Sequence, residues 1–187
     1  MRVPRPVPLR IAASTACAAL LLVGCGSGGS DATAPDETMA GMDMAAMNEP
    51  DATPADEVDG EVTSGDFAVL PTAPPGSDGV TGTAWLAQAD VGTTVTIRLE
   101  GLEPGRDYVS HLHAQTCERD DGGPHFAFDP GGSELPPNEV HLGFTADDAG
   151  AGEATVTNER RVGDRAPAIV VHPADATDNR LACADFS

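Results

Sequence analysis

The sequence predicts an all-β domain, an antiparallel β-sandwich or flattened barrel, and three observations carry that prediction. Short runs alternating apolar and polar residues recur between residues 80 and 185. Gly and Pro, 21 and 16 of the 187 residues, gather between those runs as turns. No stretch of the domain holds a sustained helical period. Short strands joined by such turns bury their apolar faces by packing sheet on sheet.

The chain opens with Arg2, Arg5 and Arg10 ahead of an apolar run at 16–23 that ends Leu22-Val23-Gly24-Cys25. A basic start, an apolar middle and a small-residue exit are the layout of a secretory signal peptide, 1–24, and the run is too short to span a bilayer comfortably. The exit resembles the bacterial lipobox, which implies acylation of Cys25 and a lipoprotein anchored to the outer face of the cell membrane. Residues 26–65 carry ten acidic and no basic side chains. A segment with so little apolar surface cannot offset its ordering entropy, so 25–65 is expected to be a disordered, lipidated acidic tether.

Inside that tether Met39, Met42, Met44 and Met47 are every methionine left after the signal. Thioethers are soft, uncharged ligands that favour Cu(I), so the cluster is expected to capture that ion. A nascent amphipathic turn, or chance clustering in a low-complexity tail, is the plainer alternative.

The domain, 66–187, is then read strand by strand. Residues 80–88 form a strand, and 93–99 alternate so that Val95, Ile97 and Leu99 face a core shared with Trp85. A Gly-Leu-Glu-Pro-Gly turn at 101–105 leads into a strand at 107–114. The Gly- and Pro-rich stretch 118–139 excludes regular structure, and a loop of that length in a compact domain is usually functional. Further strands are expected at 141–146, 153–158, 168–172 and 180–185, with a hairpin turn at 147–150.

All five histidines lie within residues 111–172. In His111-Leu112-His113 a spacing of two puts both imidazoles on one strand face and Leu112 on the other. His125 sits in the turn Gly123-Pro124-His125-Phe126, and His172 ends the apolar run Ile169-Val170-Val171. Sets made only of imidazole suit copper or zinc, and a copper that changes oxidation state is served by three or four nitrogens with one position open. An isolated His-x-His pair is as readily an exposed strand edge. Five histidines of five in this arrangement are not.

These motifs, followed by Arg180-Leu181-Ala182-Cys183, resemble the copper/zinc superoxide dismutases over roughly residues 66–187. The resemblance implies a Greek-key barrel in which His111, His113, His125 and His172 hold copper, His125 being the ligand that bridges to zinc in two-metal members. It also implies that Arg180 guides and binds superoxide, and that Arg180 and His125 serve the conversion of superoxide to O2 and H2O2. The zinc site departs from the family. Only His141 remains beside His125, Phe144 stands where the family has an aspartate, and Asp129, Glu134 and Glu139 are the available substitutes. Copper without zinc is therefore expected, with His141 orienting His125 or surviving as a residual zinc-type ligand. The segment between His172 and Arg180 is short, and its Asp175 and Asp178 oppose an approaching anion.

Cysteine usage agrees with an oxidising compartment. Cys17 leaves with the signal and Cys25 takes lipid, so Cys117 and Cys183 are expected to be bonded. The formal charge is −20, and losing the three leader arginines makes it −23. Nucleic acid is excluded as a partner because no basic surface exists for phosphates. The expected partners are superoxide, the membrane through the lipid, and a copper donor. A lipoprotein that stores or transfers copper would use the same histidines and methionines but has no need of Arg180.

Overall fold

The computed structural model describes residues 43–187; the signal peptide, Cys25, Met39 and Met42 lie outside the described residues. Nine strands are present: β1 Glu61–Asp66, β2 Ala68–Val69, β3 Thr81–Ala89, β4 Gly92–Glu100, β5 Asp107–His113, β6 His141–Thr145, β7 Gly152–Asn158, β8 Ala168–Pro173 and β9 Ala182–Asp185. They form two antiparallel sheets in the orders β1-β3-β4-β7 and β2-β9-β8-β5-β6. The chain leaves the first sheet after β4, builds β5 and β6 in the second, and returns as β7 to pair with β4, a crossover of the Greek-key kind.

Period-two alternation decides which side chains meet between the sheets. Val95, Ile97 and Leu99 on β4 are buried, as expected, and join Leu112, Leu142, Ile169 and Val171 from the facing sheet in one core cluster. Tyr108 and Phe144 stack with ring centroids 5.7 Å apart and extend the same core. The strands predicted from 80 onward are all present within a residue or two at each end.

Trp85 corrects the sequence reading. Ala84 and Leu86 point inward, so the residue between them must point outward. Trp85 is half-buried on the outer face, opposite Thr96, with the Arg98 guanidinium 4.9 Å above its ring.

The tether needs a larger correction, because residues 43–65 are folded onto the domain. Asp43 caps a 3-10 turn at Met44–Met47 by accepting from the Ala45 N–H at 3.0 Å. Glu49 N donates to the Thr155 carbonyl at 2.7 Å, Asn48 Oδ1 accepts from Thr155 N at 3.1 Å, and the Glu49 carboxylate accepts from Thr157 Oγ1 at 2.7 Å. This strap therefore covers the otherwise open edge of β7. A second 3-10 turn, Ala55–Glu57, lies over the outer face of the four-stranded sheet. Its fully buried Ala55 donates from N to Thr96 Oγ1 at 2.9 Å. β1 then pairs with β3 along the other edge. Composition concealed all this because the acidic side chains stay at the surface even where Glu49 and Asp56 make docking contacts, and backbone groups and a few uncharged residues do the rest.

Met44 and Met47 share that fate. Side chains at i and i+3 eclipse on a 3-10 turn. Both methyls consequently lie 3.0 and 3.1 Å from the point that a Gly143 Cβ would occupy, and Met47 is buried. They fill the groove above a residue without a side chain, so they are not free on a mobile tether as expected.

Candidate metal centre

Strand register brings the histidines together. On β5, Val109, His111 and His113 share the face opposite Leu112. His111 lies directly across from His141 on β6, and Val109 directly across from His172 on β8, so both partners share that face. His125 arrives from the loop between β5 and β6, where it forms an isolated bridge with His113. The imidazoles of His111, His113, His125 and His172 each present a nitrogen within 4.8 Å of the others. The closest rings are His111 and His125, with centroids 4.1 Å apart. His111, His113, His141 and His172 are buried, whereas the His125 side chain keeps 35% of its exposure and marks the open side.

Hydrogen bonds fix the tautomers. His113 Nδ1 meets the Gly123 carbonyl at 3.0 Å and His172 Nδ1 meets the Thr177 carbonyl at 2.7 Å. A carbonyl only accepts, so both Nδ1 atoms carry the proton and both Nε2 atoms keep a bare lone pair. Those two Nε2 atoms, and both nitrogens of His111, are buried without any hydrogen-bond partner among the described residues. An unpaired buried polar atom costs about 1–3 kcal/mol. Several in one cluster make a donor set that a nitrogen-loving metal ion satisfies.

The electrostatics agree. Burial pushes His113 down to about 3, helped by His125 and His172, and holds His111 well below the ordinary imidazole range. His172 is carried down to about 4, again chiefly by burial. All three are thus neutral ligands at physiological pH.

Behind His125 stands Glu139. Its Oε2 accepts from His125 Nδ1 and from His141 Nε2, each at 2.9 Å. Burial works to raise the Glu139 pKa, yet the two imidazole hydrogen bonds carry it down to about 2. The expected link from His141 to His125 therefore runs through this carboxylate, and the His141 ring lies edge-on to His111 at 4.5 Å. Of the three acidic substitutes proposed from sequence, only Glu139 joins the histidines. Asp129 is exposed and paired with Arg160 at 2.8 Å, and Glu134 is exposed. The spacing Glu139-x-His141, which puts both side chains on one face of an extended segment, was the signal that marks this role.

Arg180 stands at the rim. Its Nη1 donates to the carbonyls of Asp120 and Asp121 at 2.7 and 2.9 Å, and its Nη2 donates to Gly123 O at 2.8 Å. Gly123 O thus serves His113 and Arg180 together, and the arginine's charge contributes to lowering both His113 and His172. Three of about five guanidinium N–H groups are committed. Nε has no partner among the described residues, and one Nη2–H is likewise uncommitted. The carbonyl row depends on a left-handed backbone from Asp120 to Gly123, φ 55, 51, 97 and 68°. At Gly122 any Cβ would also lie 2.9 Å from Val170 Cγ2 and 3.2 Å from His113 Nδ1. The loop is fastened to β9 by the Cys117–Cys183 disulfide, as expected from the cysteine count. Asp175 is paired with Arg106 at 2.8 Å, which offsets part of the acidic charge expected near Arg180.

The fold and site define an all-β sandwich with a buried four-imidazole cluster on one outer face. No family model matches the chain, and no curated protein matches it. Among solved structures it is similar to a Cu/Zn superoxide dismutase from Brucella abortus, at 21% identity and a TM-score of 0.50, over 68% of this chain and 100% of that chain. At that identity the likeness shows the fold.

Proposed function

We propose that this domain is a copper-dependent superoxide dismutase that works without zinc, carried outside the cell membrane by a lipid on Cys25. The single observation that carries the reading is the cluster of bare, buried imidazole nitrogens on His111, His113 and His172 within the influence of the Arg180 charge. With His125 Nε2 these nitrogens would hold the copper, whose one-electron couple supplies the redox chemistry when bound. The remaining steps belong to the chain. Arg180 receives the superoxide anion by its charge and its uncommitted Nε–H, which orients as well as attracts. His125 is the exposed imidazole, and its Nε2 is the atom placed to hold a proton between the two half-reactions. Glu139 keeps the other nitrogen protonated, so the proton exchanged with substrate is at Nε2 alone. Two superoxide ions and two protons leave as O2 and H2O2. On this reading the Glu139 carboxylate, accepting from both rings, takes the place of a zinc ion between His125 and His141, although these three side chains are themselves close enough to hold one.

Storage or transfer of copper, the competing reading, uses the histidines but not the arginine. The separating experiment is elemental analysis of the purified chain with a superoxide assay on native protein and Arg180→Ala. Dismutation requires copper without stoichiometric zinc, full copper retention in the variant, and a rate reduced about tenfold or more. An equal rate in both proteins, or none in either, leaves storage as the function. Met39 and Met42 enter the same reading as a loading site for Cu(I) ahead of the domain, and the copper donor as the partner that fills it.

A further inference from the structure

The loop from β5 to β6 carries both His125 and Glu139, and it is rich in Gly and Pro. Such a chain has no secondary structure of its own to hold two side chains in register. Its neck is closed by one isolated bridge, Ala127 to Glu139, with Phe128 N donating to Asn138 O at 2.9 Å. Everything beyond the neck is organised around the side chain of Asn138. Oδ1 accepts from Asp129 N at 2.8 Å, while Nδ2 donates to Asp129 O at 3.1 Å and to Ser133 O at 2.8 Å. Gly132 lies so close that a Cβ on it would stand 2.9 Å from Asn138 Nδ2.

We propose that Asn138 is the positioning residue that keeps Glu139 against His125, doing by hydrogen bonds what a metal ion held between loop and strand would otherwise do. A primary amide suits this task. It offers acceptor and donors in one plane, so a single side chain satisfies both ends of a turn and the turn's far wall. The neighbouring contacts act in the same direction. Arg160 lies 4.4 Å over Phe128 and grips Asp129, Asn158 Nδ2 donates to Pro137 O at 3.0 Å, and Arg165 lies 4.9 Å over Phe126. Asn138 adjoins Glu139 in the chain, so loss of its amide frees the neck strand, and Glu139 Oε2 withdraws from His125 Nδ1. His113 and His172 do not depend on this loop segment, because their Nδ1 protons go to Gly123 and Thr177 carbonyls.

This deepens the proposed reading of the same site, but the measurement needs no metal. Histidine ring nitrogens are observed by 15N NMR in the metal-free chain at about pH 8, where ordinary imidazoles are neutral. In the native protein His125 is expected as the Nδ1–H tautomer. In Asn138→Ala its ratio should move about tenfold toward Nε2–H, the loss of one charge-assisted hydrogen bond, while His113 and His172 keep their tautomers. If Asn138→Ala does not fold, Gly132→Ala crowds the same amide and should move His125 alone in the same direction. An unchanged His125 ratio, even with a lowered melting temperature, overturns the proposal, and so does a parallel shift at His113. Failure to bind copper would overturn the dismutase reading and leave this result standing.

Discussion

The outer faces of the two sheets are both covered, yet they are finished in opposite ways. Over the four-stranded sheet, the strap satisfies what it buries: Ala55 N reaches Thr96 Oγ1, and Thr96 and Thr155 share a hydrogen bond of 2.8 Å. Over the five-stranded sheet, the covering loop leaves bare nitrogens on His111, His113 and His172. The first arrangement lowers free energy in the chain alone. The second raises it, and such a cost persists where a ligand recovers it. Unsatisfied polarity therefore separates the functional face from the structural one more sharply than burial does, since both faces hold buried polar residues.

The comparison breaks most readily on the histidine face. Changing His172→Ala should lower copper affinity about 100-fold or more by competition with a chelator, because one donor is removed outright. Metal-free stability should fall by about 1–3 kcal/mol, since the Thr177 carbonyl loses its donor and the buried ring leaves a cavity, offset only in part by the departure of an unpaired nitrogen. A variant that kept its copper would place the ion elsewhere. Glu139→Gln comes next, at about 10–100-fold, because it loosens a ligand without removing one. Elemental analysis after dialysis against chelator reads both changes.

On the other face the effect belongs to folding. Thr96→Val leaves the buried Ala55 N–H without an acceptor and should cost about 1–3 kcal/mol in urea unfolding. Copper affinity should stay within about twofold, sites this well separated being independent. Coupled losses in both quantities would mean that the strap supports the metal centre.

Legibility in the sequence followed the same division. The strands from β3 onward alternate because one face meets the core, and His111, His113 and His172 stand out by spacing and strand end, whereas His125, in a loop turn, joins them only through the family resemblance. β1, Glu-Val-Thr-Ser-Gly-Asp, is an edge strand with no fully buried residue, so it carries no alternation to read. The strap was hidden for a related reason: it docks through backbone groups, Ala55 and Met47, which composition records as an acidic tail. Trp85 is read as a core residue from sequence, although its neighbours Ala84 and Leu86 claim the core face. Glu139 was considered only as a zinc substitute. The Glu139-x-His141 spacing reports a shared face with His141, but the contact with His125 spans the loop between β5 and β6, which no local pattern reports.

The smallest effect tests whether charge holds the strap at all. Asp56 accepts from Arg98 Nη1 at 2.9 Å, and that hydrogen bond, ahead of its partial burial, holds the carboxyl below the usual carboxylate range. A depressed folded pKa gives stability that is present above the unfolded value, about 3.9, and is lost as pH falls through the folded value. Both side chains keep about a third of their exposure, at 29% and 37%, so solvent screening reduces the pair to about 0.5 kcal/mol. Arg98 also retains Glu153 at 3.0 Å when Asp56 is changed. Asp56→Asn should therefore lower the urea midpoint slightly at neutral pH, and the gap should close as pH falls below the unfolded value and through the depressed folded one, where the native carboxyl takes the charge state of the amide. A gap that persists in acid would assign the loss to packing. A gap as large as that of Thr96→Val would mean that the exposed ion pair, and not the buried Ala55 N–H, fastens the strap to the sheet.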